Sequence, residues 1–264
     1  MARFCRGSCQ LPLQPVLFFC AVAATAHAEW SIVSANSEPG RAEIAHRQIV
    51  LEDSETNERA TIDLALFSTR SCTLRLIDQP APPRHDLAHA MRQQRCLAGV
   101  NGGYFDPDYR PIGLLIADGN MVAPLQRAKL LTGVLAGSSR GVEIVRIREF
   151  SRQQKLNAAI QCGPFLVDLG QRVHGLDDSR SARRTFAATG TNDRIELGVC
   201  SEISLAKLAK ILATTRLADD LKIQRSLNLD GGSSSAFWFA QENGSAFSVP
   251  EQKPVRNFVG VIAR

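Results

Sequence analysis

Hydrophobic and polar positions fall into short runs punctuated by Gly, Asp and Asn. Residues 42–53, "AEIAHRQIVLED", and 59–68, "RATIDLALFS", alternate in character, the period-two pattern of half-buried strands. The polar stretch near Thr56–Glu58 predicts that they pair as a hairpin. "CLAGV" reads as a short buried strand running into "NGGYFD", and "GLLIADGNMVAP" as a hairpin turning at Asp118-Gly119. "GVEIVRIREF" alternates as another strand, and "TFAATGTNDRIELGVC" as a second hairpin with its turn at Gly190–Asp193. Two stretches carry helical spacing instead. "HDLAHAMRQQ" places Asp86 as an N-cap before Leu87, Ala90 and Met91. "SLAKLAKILATT" places Ser204 before a stripe of Leu205, Leu208, Ile211 and Leu212. The remaining strands are "RSLNLD", "SAFWFA" and "RNFVGVIA".

Roughly ten strands against two or three helices, without regular βαβ alternation, predict an α+β fold: a single domain with a mixed, largely antiparallel sheet flanked by a few helices. At 264 residues and 44% hydrophobic the chain can bury one substantial core, and with 6% aromatic content that core is mainly aliphatic.

The first 28 residues read as an export signal. Arg3 and Arg6 form the basic start, Val16–Ala24 the apolar stretch, and "AHA" ending at Ala28 the cleavage site. The apolar run is about half the ~20 residues that span a bilayer, so no stable membrane anchor is expected. Residues 29–85 then supply N-terminal strands packed on a main domain over 86–264, and the mature protein is secreted or periplasmic. Removing Arg3 and Arg6 lowers the formal charge from +5 to about +3. With no basic run interleaved with aromatics, nucleic acid is not an expected partner. Four cysteines remain in the mature chain, Cys72, Cys96, Cys162 and Cys200. An even number in an exported chain predicts two disulfides, in one of three connectivities. The shortest loops join Cys72 to Cys96 and Cys162 to Cys200.

Candidate chemistry gathers at four polar clusters: "NGGYFD" (Asn101–Asp106), "CGPFLVD" (Cys162–Asp168), "SARRT" (Ser181–Thr185) and "NLDGGSSS" (Asn228–Ser235). The paired glycines Gly102-Gly103 and Gly231-Gly232 let a ligand approach the backbone and bond its amides. The plainer alternative makes both clusters turns, with Asp230 bonding its own amides. Adjacent Arg183 and Arg184 suit a bidentate grip on phosphate. No G-x-S-x-G elbow frames Ser233, Ser234 or Ser235, and neither metal-ligand spacing nor a cofactor motif is present.

In order, "GVNGGYFD", "PIGLLIADG", "CGPFLV", "RRTFAATG", "LAKLAKIL" and "LNLDGGSSSAFW" resemble the phosphodiester glycosidase family over roughly Leu97–Trp238. Arg183 stands where the family carries proline, so Arg184 and Thr185 are the positions that carry over. The resemblance implies hydrolysis of a sugar-1-phosphodiester, of the N-acetylglucosamine-1-phosphodiester kind, to free sugar and phosphomonoester. The phosphate leaves readily, its second pKa being near ~6, so charge stabilisation matters more than strong general-acid help. Asp230 is then the carboxylate beside the developing oxocarbenium ion, Arg184 the cation on the phosphate, and Asn101 an orienting amide. Gly102, Gly103, Tyr104, Asp106, Gly163, Thr185, Gly231, Gly232, Ser233 and Ser234 hold the sugar-phosphodiester, with Asp106 the reserve carboxylate. The alternative is an exported glycan-binding protein that keeps the pocket without the chemistry.

Overall fold

The computed structural model describes residues 1–2, 30–151, 153–218 and 221–264. The export segment expected over 1–28 therefore lies, apart from Met1 and Ala2, outside the described residues. In chain order the strands are β1 (Trp30–Pro39), β2 (Ala45–Asp53), β3 (Arg59–Ser68), β4 (Cys72–Asp78), β5 (Ala98–Asn101), β6 (Leu115–Ala117), β7 (Asn120–Ala123), β8 (Gly133–Ser138) and β9 (Gly141–Arg146). They continue as β10 (Leu156–Cys162), β11 (Phe165–Asp168), β12 (Gln171–Arg172), β13 (Ala182–Gly190), β14 (Arg194–Ile203), β15 (Ile223–Asn228), β16 (Phe237–Ala240), β17 (Ala246–Val249) and β18 (Asn257–Ala263). The α-helices among the described residues are α1 (Leu87–Gln93) and α2 (Leu205–Thr214).

The strands form three antiparallel sheets. An eight-stranded sheet runs β1-β2-β3-β14-β13-β15-β11-β12, and two five-stranded sheets run β7-β6-β10-β8-β9 and β17-β16-β5-β18-β4. One face of the large sheet meets both smaller sheets in the main core, where Phe67, Leu197 and Leu227 pack with Leu74, Val100, Leu135 and Ile160. Its other face is covered by α2 through Leu208, Ile211 and Leu212. The helix α1 closes the far side of the β5 sheet, packing Leu87, Ala90 and Met91 on Trp238 and Phe258.

Local chemistry explains the elements that the sequence made legible. Asp86 accepts a 2.7 Å bond from the His89 amide and starts α1, and Ser204 does the same for α2 through the Lys207 amide. Asp118 (φ 47°) and Gly119 (φ 79°) form the two-residue left-handed turn between β6 and β7. β2 and β3 pair in register from Ala45↔Leu66 to Glu52↔Arg59.

Two expectations need correction. The fold is richer in strand than a balanced α+β domain: a largely antiparallel sheet core is present, but with 18 strands against two α-helices among the described residues. Several of the strands not read from sequence lack alternation, although β4 carries it. β8 and β10 are buried almost throughout, and β1 is exposed almost throughout, so neither kind shows a period of two. The second correction concerns Cys72, Cys96, Cys162 and Cys200, which are all free, buried thiols. Cys72 and Cys162 face the main core, Cys96 lies in the cluster under α1, and Cys200 lies in the cluster under α2. Each expected pair is thus divided between two separate packing clusters.

Candidate functional site

Strands β5 and β15 deliver their polar ends side by side, joined by an Asp230 N–H bond of 3.0 Å to the Gly102 carbonyl. Asn101, fully buried, closes this junction. Its Nδ2 donates to the Asp230 carbonyl at 2.7 Å, while its Oδ1 accepts from the Thr185 hydroxyl at 2.6 Å and the Ala236 amide at 3.0 Å. One side chain therefore ties β5 to β13 and to both ends of the 230–236 loop. Such a saturated buried amide positions groups around it rather than offering itself to a ligand.

The two glycine pairs differ. The amides of Gly102 and Gly103 are taken by Asn257, through its carbonyl (2.9 Å) and its Oδ1 (2.8 Å). A Cβ on Gly102 would lie 1.9 Å from that Oδ1, so close packing of β18 demands glycine there. Gly232, by contrast, has φ +63°, and a Cβ there would meet nothing within 4 Å. The open face of the cluster is at Gly232.

Asp230 sits beside that opening, half-buried, with one carboxylate oxygen accepting from the Gly231 amide at 2.9 Å. Burial raises its pKa above the ordinary carboxylate value; the nearby Ser234 hydroxyl, the Gly231 amide and the Lys253 ammonium oppose the shift. Ser234 lies close enough to steady this charge, yet its hydroxyl and that of Ser235 are buried without a bonded partner among the described residues. Tyr104 donates to the Gly163 carbonyl at 2.6 Å and accepts from Asn228 Nδ2 at 3.1 Å. Burial, with the Cys162 thiol and the Asp230 carboxylate nearby, pushes its phenol pKa up.

The arginines are anchored differently from a free phosphate fork. Arg184 is 9% exposed and donates from Nε to the Ile203 carbonyl (2.9 Å) and from Nη2 to the Arg180 carbonyl (2.6 Å). Among the described residues its Nη1 makes no hydrogen bond, and its Cδ lies 4.0 Å from where a Gly231 Cβ would stand. Arg183 points to the other side of β13 and staples the Ser235 and Pro250 carbonyls. Thr185 is buried against Asn101, and the Ser233 carbonyl accepts from the Gln252 amide at 2.8 Å. Asp106 closes its own turn by accepting from the Arg110 amide at 2.8 Å.

Most candidate residues thus converge, and the structure adds others. Asn228 and Asn257 hold the Tyr104 and Gly103 ends of the site. The Lys253 ammonium opposes the raised pKa of Asp230 without pairing with it, and lies 5.5 Å from the Phe105 ring centroid. Glu251 accepts from the Leu87 amide at the start of α1, and burial raises its pKa. Asn257 had a visible signal, a polar residue opening the apolar run "FVGVIA". Lys253 and Glu251 had none, since they lie in a short polar segment that gains meaning from its place in the fold.

A protein-family model described as phosphodiester glycosidase matches residues 94–262. The uncharacterized protein YigE of Escherichia coli (strain K12) is 31% identical over 98 residues, a stretch covering 33% of this chain and 39% of that protein. The chain therefore matches well under half the length of this relative. The catalytic domain of zebrafish N-acetylglucosamine-1-phosphodiester alpha-N-acetylglucosaminidase, auto-inhibited by its pro-peptide, superposes with a TM-score of 0.62 at 16% identity, covering 88% of each chain. A hypothetical protein from Synechocystis gives a TM-score of 0.59 at 17% identity, covering 84% of this chain and 62% of that one. At such identities the likeness is one of fold.

Proposed function

The chain belongs to the phosphodiester glycosidase family, and from that premise we propose that it hydrolyses a sugar-1-phosphodiester at the Asp230 cluster, releasing free sugar and a phosphomonoester. The observation that carries this reading is the Asp230 carboxylate, half-buried and held by the Gly231 amide at the open face beside Gly232. A carboxylate so placed stabilises positive charge developing at the sugar C1 as the C1–O bond breaks and water attacks. The departing phosphate needs cations instead of an acid, and Arg184 Nη1 with Lys253 supplies them. Asn101 is a positioning residue in this scheme, since it sets the Asp230 backbone and touches no substrate. Gly232 and Ser233 line the approach, the buried Ser234 supports the Asp230 carboxylate from behind, Tyr104 and Gly163 wall the site, and Gly102, Gly103 and Thr185 fix its floor. Asp106, committed to its own turn, takes no chemical step. The expected export signal puts the protein in the periplasm or outside the cell. No helix among the described residues is long and apolar enough to cross a membrane.

The test uses methyl phospho-N-acetylglucosamine and UDP-N-acetylglucosamine as substrates, with free sugar as the readout. Wild-type protein should release sugar from at least one, and Asp230→Asn should lower turnover by about 10²-fold or more. A folded Asp230→Asn variant of normal rate removes Asp230 from the mechanism, and wild-type protein inert towards both substrates overturns the hydrolase reading.

A further inference from the structure

A broad concavity opens on the described surface outside the Asp230 cluster. It has a volume of about 1100 Å³ and is walled by the segments 125–132 and 146–148. Four of its lining residues are cations: Arg127, Lys129, Arg146 and Arg148. The nearby carboxylates are already engaged. Asp168 pairs with Arg146 at 2.8 Å, and Glu149 pairs with Arg225 at 2.6 Å. Arg148 reaches Glu149 only at 3.9 Å and is otherwise open to solvent. Arg127 and Lys129 have no ion pair among the described residues. Counting Arg225, five cations thus meet two carboxylates, and the two cations without an ion pair among the described residues, Arg127 and Lys129, share the 125–132 wall.

That wall is built and held. Gln161, 1% exposed, grips Gln126 from both sides: its Oε1 accepts from the Gln126 amide at 3.0 Å and its Nε2 donates to the Gln126 carbonyl at 2.6 Å. The neighbouring Arg127 is thereby fixed at its backbone. The Thr132 hydroxyl accepts from the Phe165 amide at 2.8 Å, and the Arg146 guanidinium lies 4.3 Å over the Phe165 ring.

The groove also adjoins the candidate site through one residue. A Cβ on Gly163 would stand 2.1 Å from the Leu130 carbonyl and 2.8 Å from the Thr132 amide. The carbonyl of the same glycine accepts from Tyr104 and from Asn228, which border Asp230.

We propose that this groove is the aglycone subsite, and that the natural aglycone carries at least one phosphate beyond the scissile phosphodiester. The proposal rests on the hydrolase reading above and deepens it. A neutral aglycone would leave Arg127 and Lys129 without partners, whereas a second phosphate is matched by both. Because both side chains are exposed, the attraction is salt-dependent.

The test compares wild type with the double variant Arg127→Gln/Lys129→Gln, neither residue belonging to the Asp230 cluster. Wild type should favour UDP-N-acetylglucosamine over methyl phospho-N-acetylglucosamine in kcat/KM at low salt, and the preference should shrink as salt rises. The double variant should lose about 10-fold of that preference through KM, with the methyl substrate unaffected. A calorimetric titration with inorganic pyrophosphate, which requires no turnover, should show binding to wild type and at least ~5-fold weaker binding to the variant. Undetectable pyrophosphate binding, binding indifferent to the two substitutions, or an unchanged substrate preference overturns the proposal. If neither substrate is cleaved while pyrophosphate binding still depends on Arg127 and Lys129, the hydrolase reading fails alone and the groove stands as a phosphate site.

Discussion

Asp230 is held in a state that costs the fold stability. Burial raises its pKa, so between the ordinary carboxylate value and the raised one the folded protein binds more protons than the unfolded chain. Stability therefore falls as pH rises through that window, and above it the full cost of a desolvated charge remains. Asp230→Asn removes the charge, so we expect the variant to melt at a higher temperature than wild type at pH 7, with the difference vanishing below pH 4. Parallel thermal melts at the two pH values check this, and a variant less stable than wild type at pH 7 would contradict it. Higher stability with lower activity is the usual signature of a site strained for function. Asn101 illustrates the opposite case, in which three saturated bonds serve architecture.

Between elements, the contact of β18 with the end of β5 decides how the site is shaped. Gly102 has ordinary backbone angles, and its lack of a side chain answers to Asn257 Oδ1. Gly102→Ala should displace Asn257, free the Gly103 amide and cost about 1–3 kcal/mol, the usual range for overpacking. At Gly232 the same change meets open space but a left-handed φ of +63°, and should cost about 1 kcal/mol. Urea melts of the two variants should rank Gly102→Ala as the more damaging; the reverse order would sink this account of why each glycine is there.

Across the whole molecule, packing takes the place that cross-links were expected to fill. Burial pushes the thiol pKa values of Cys96, Cys162 and Cys200 up to about 12, and that of Cys72 upward as well. Thiols that are neutral and enclosed are inert. Iodoacetamide should leave Cys72, Cys96, Cys162 and Cys200 unlabelled in the native protein. All four should be labelled after unfolding in guanidinium without reductant, as read by peptide mass spectrometry. Residues still protected in the unfolded chain would mean disulfides and overturn the free-thiol arrangement.

What the sequence determined by itself was local. Caps at Asp86 and Ser204, the Asp118-Gly119 turn, the β2–β3 hairpin and the ordered polar motifs all depend on neighbours within a few positions, so their chemistry is written in the order of residues. Tertiary structure decided whatever depends on distant partners. Strands such as β8 and β10, covered on both faces, carry no alternation to read. The division of four cysteines among three packing clusters follows from which face of a sheet each one meets. The company of Asp230 follows from tertiary packing that gathers residues 101, 184 and 253 from β5, β13 and the segment before β18. Side-chain periodicity records whether a position is covered; what covers it is set when the sheets close on one another.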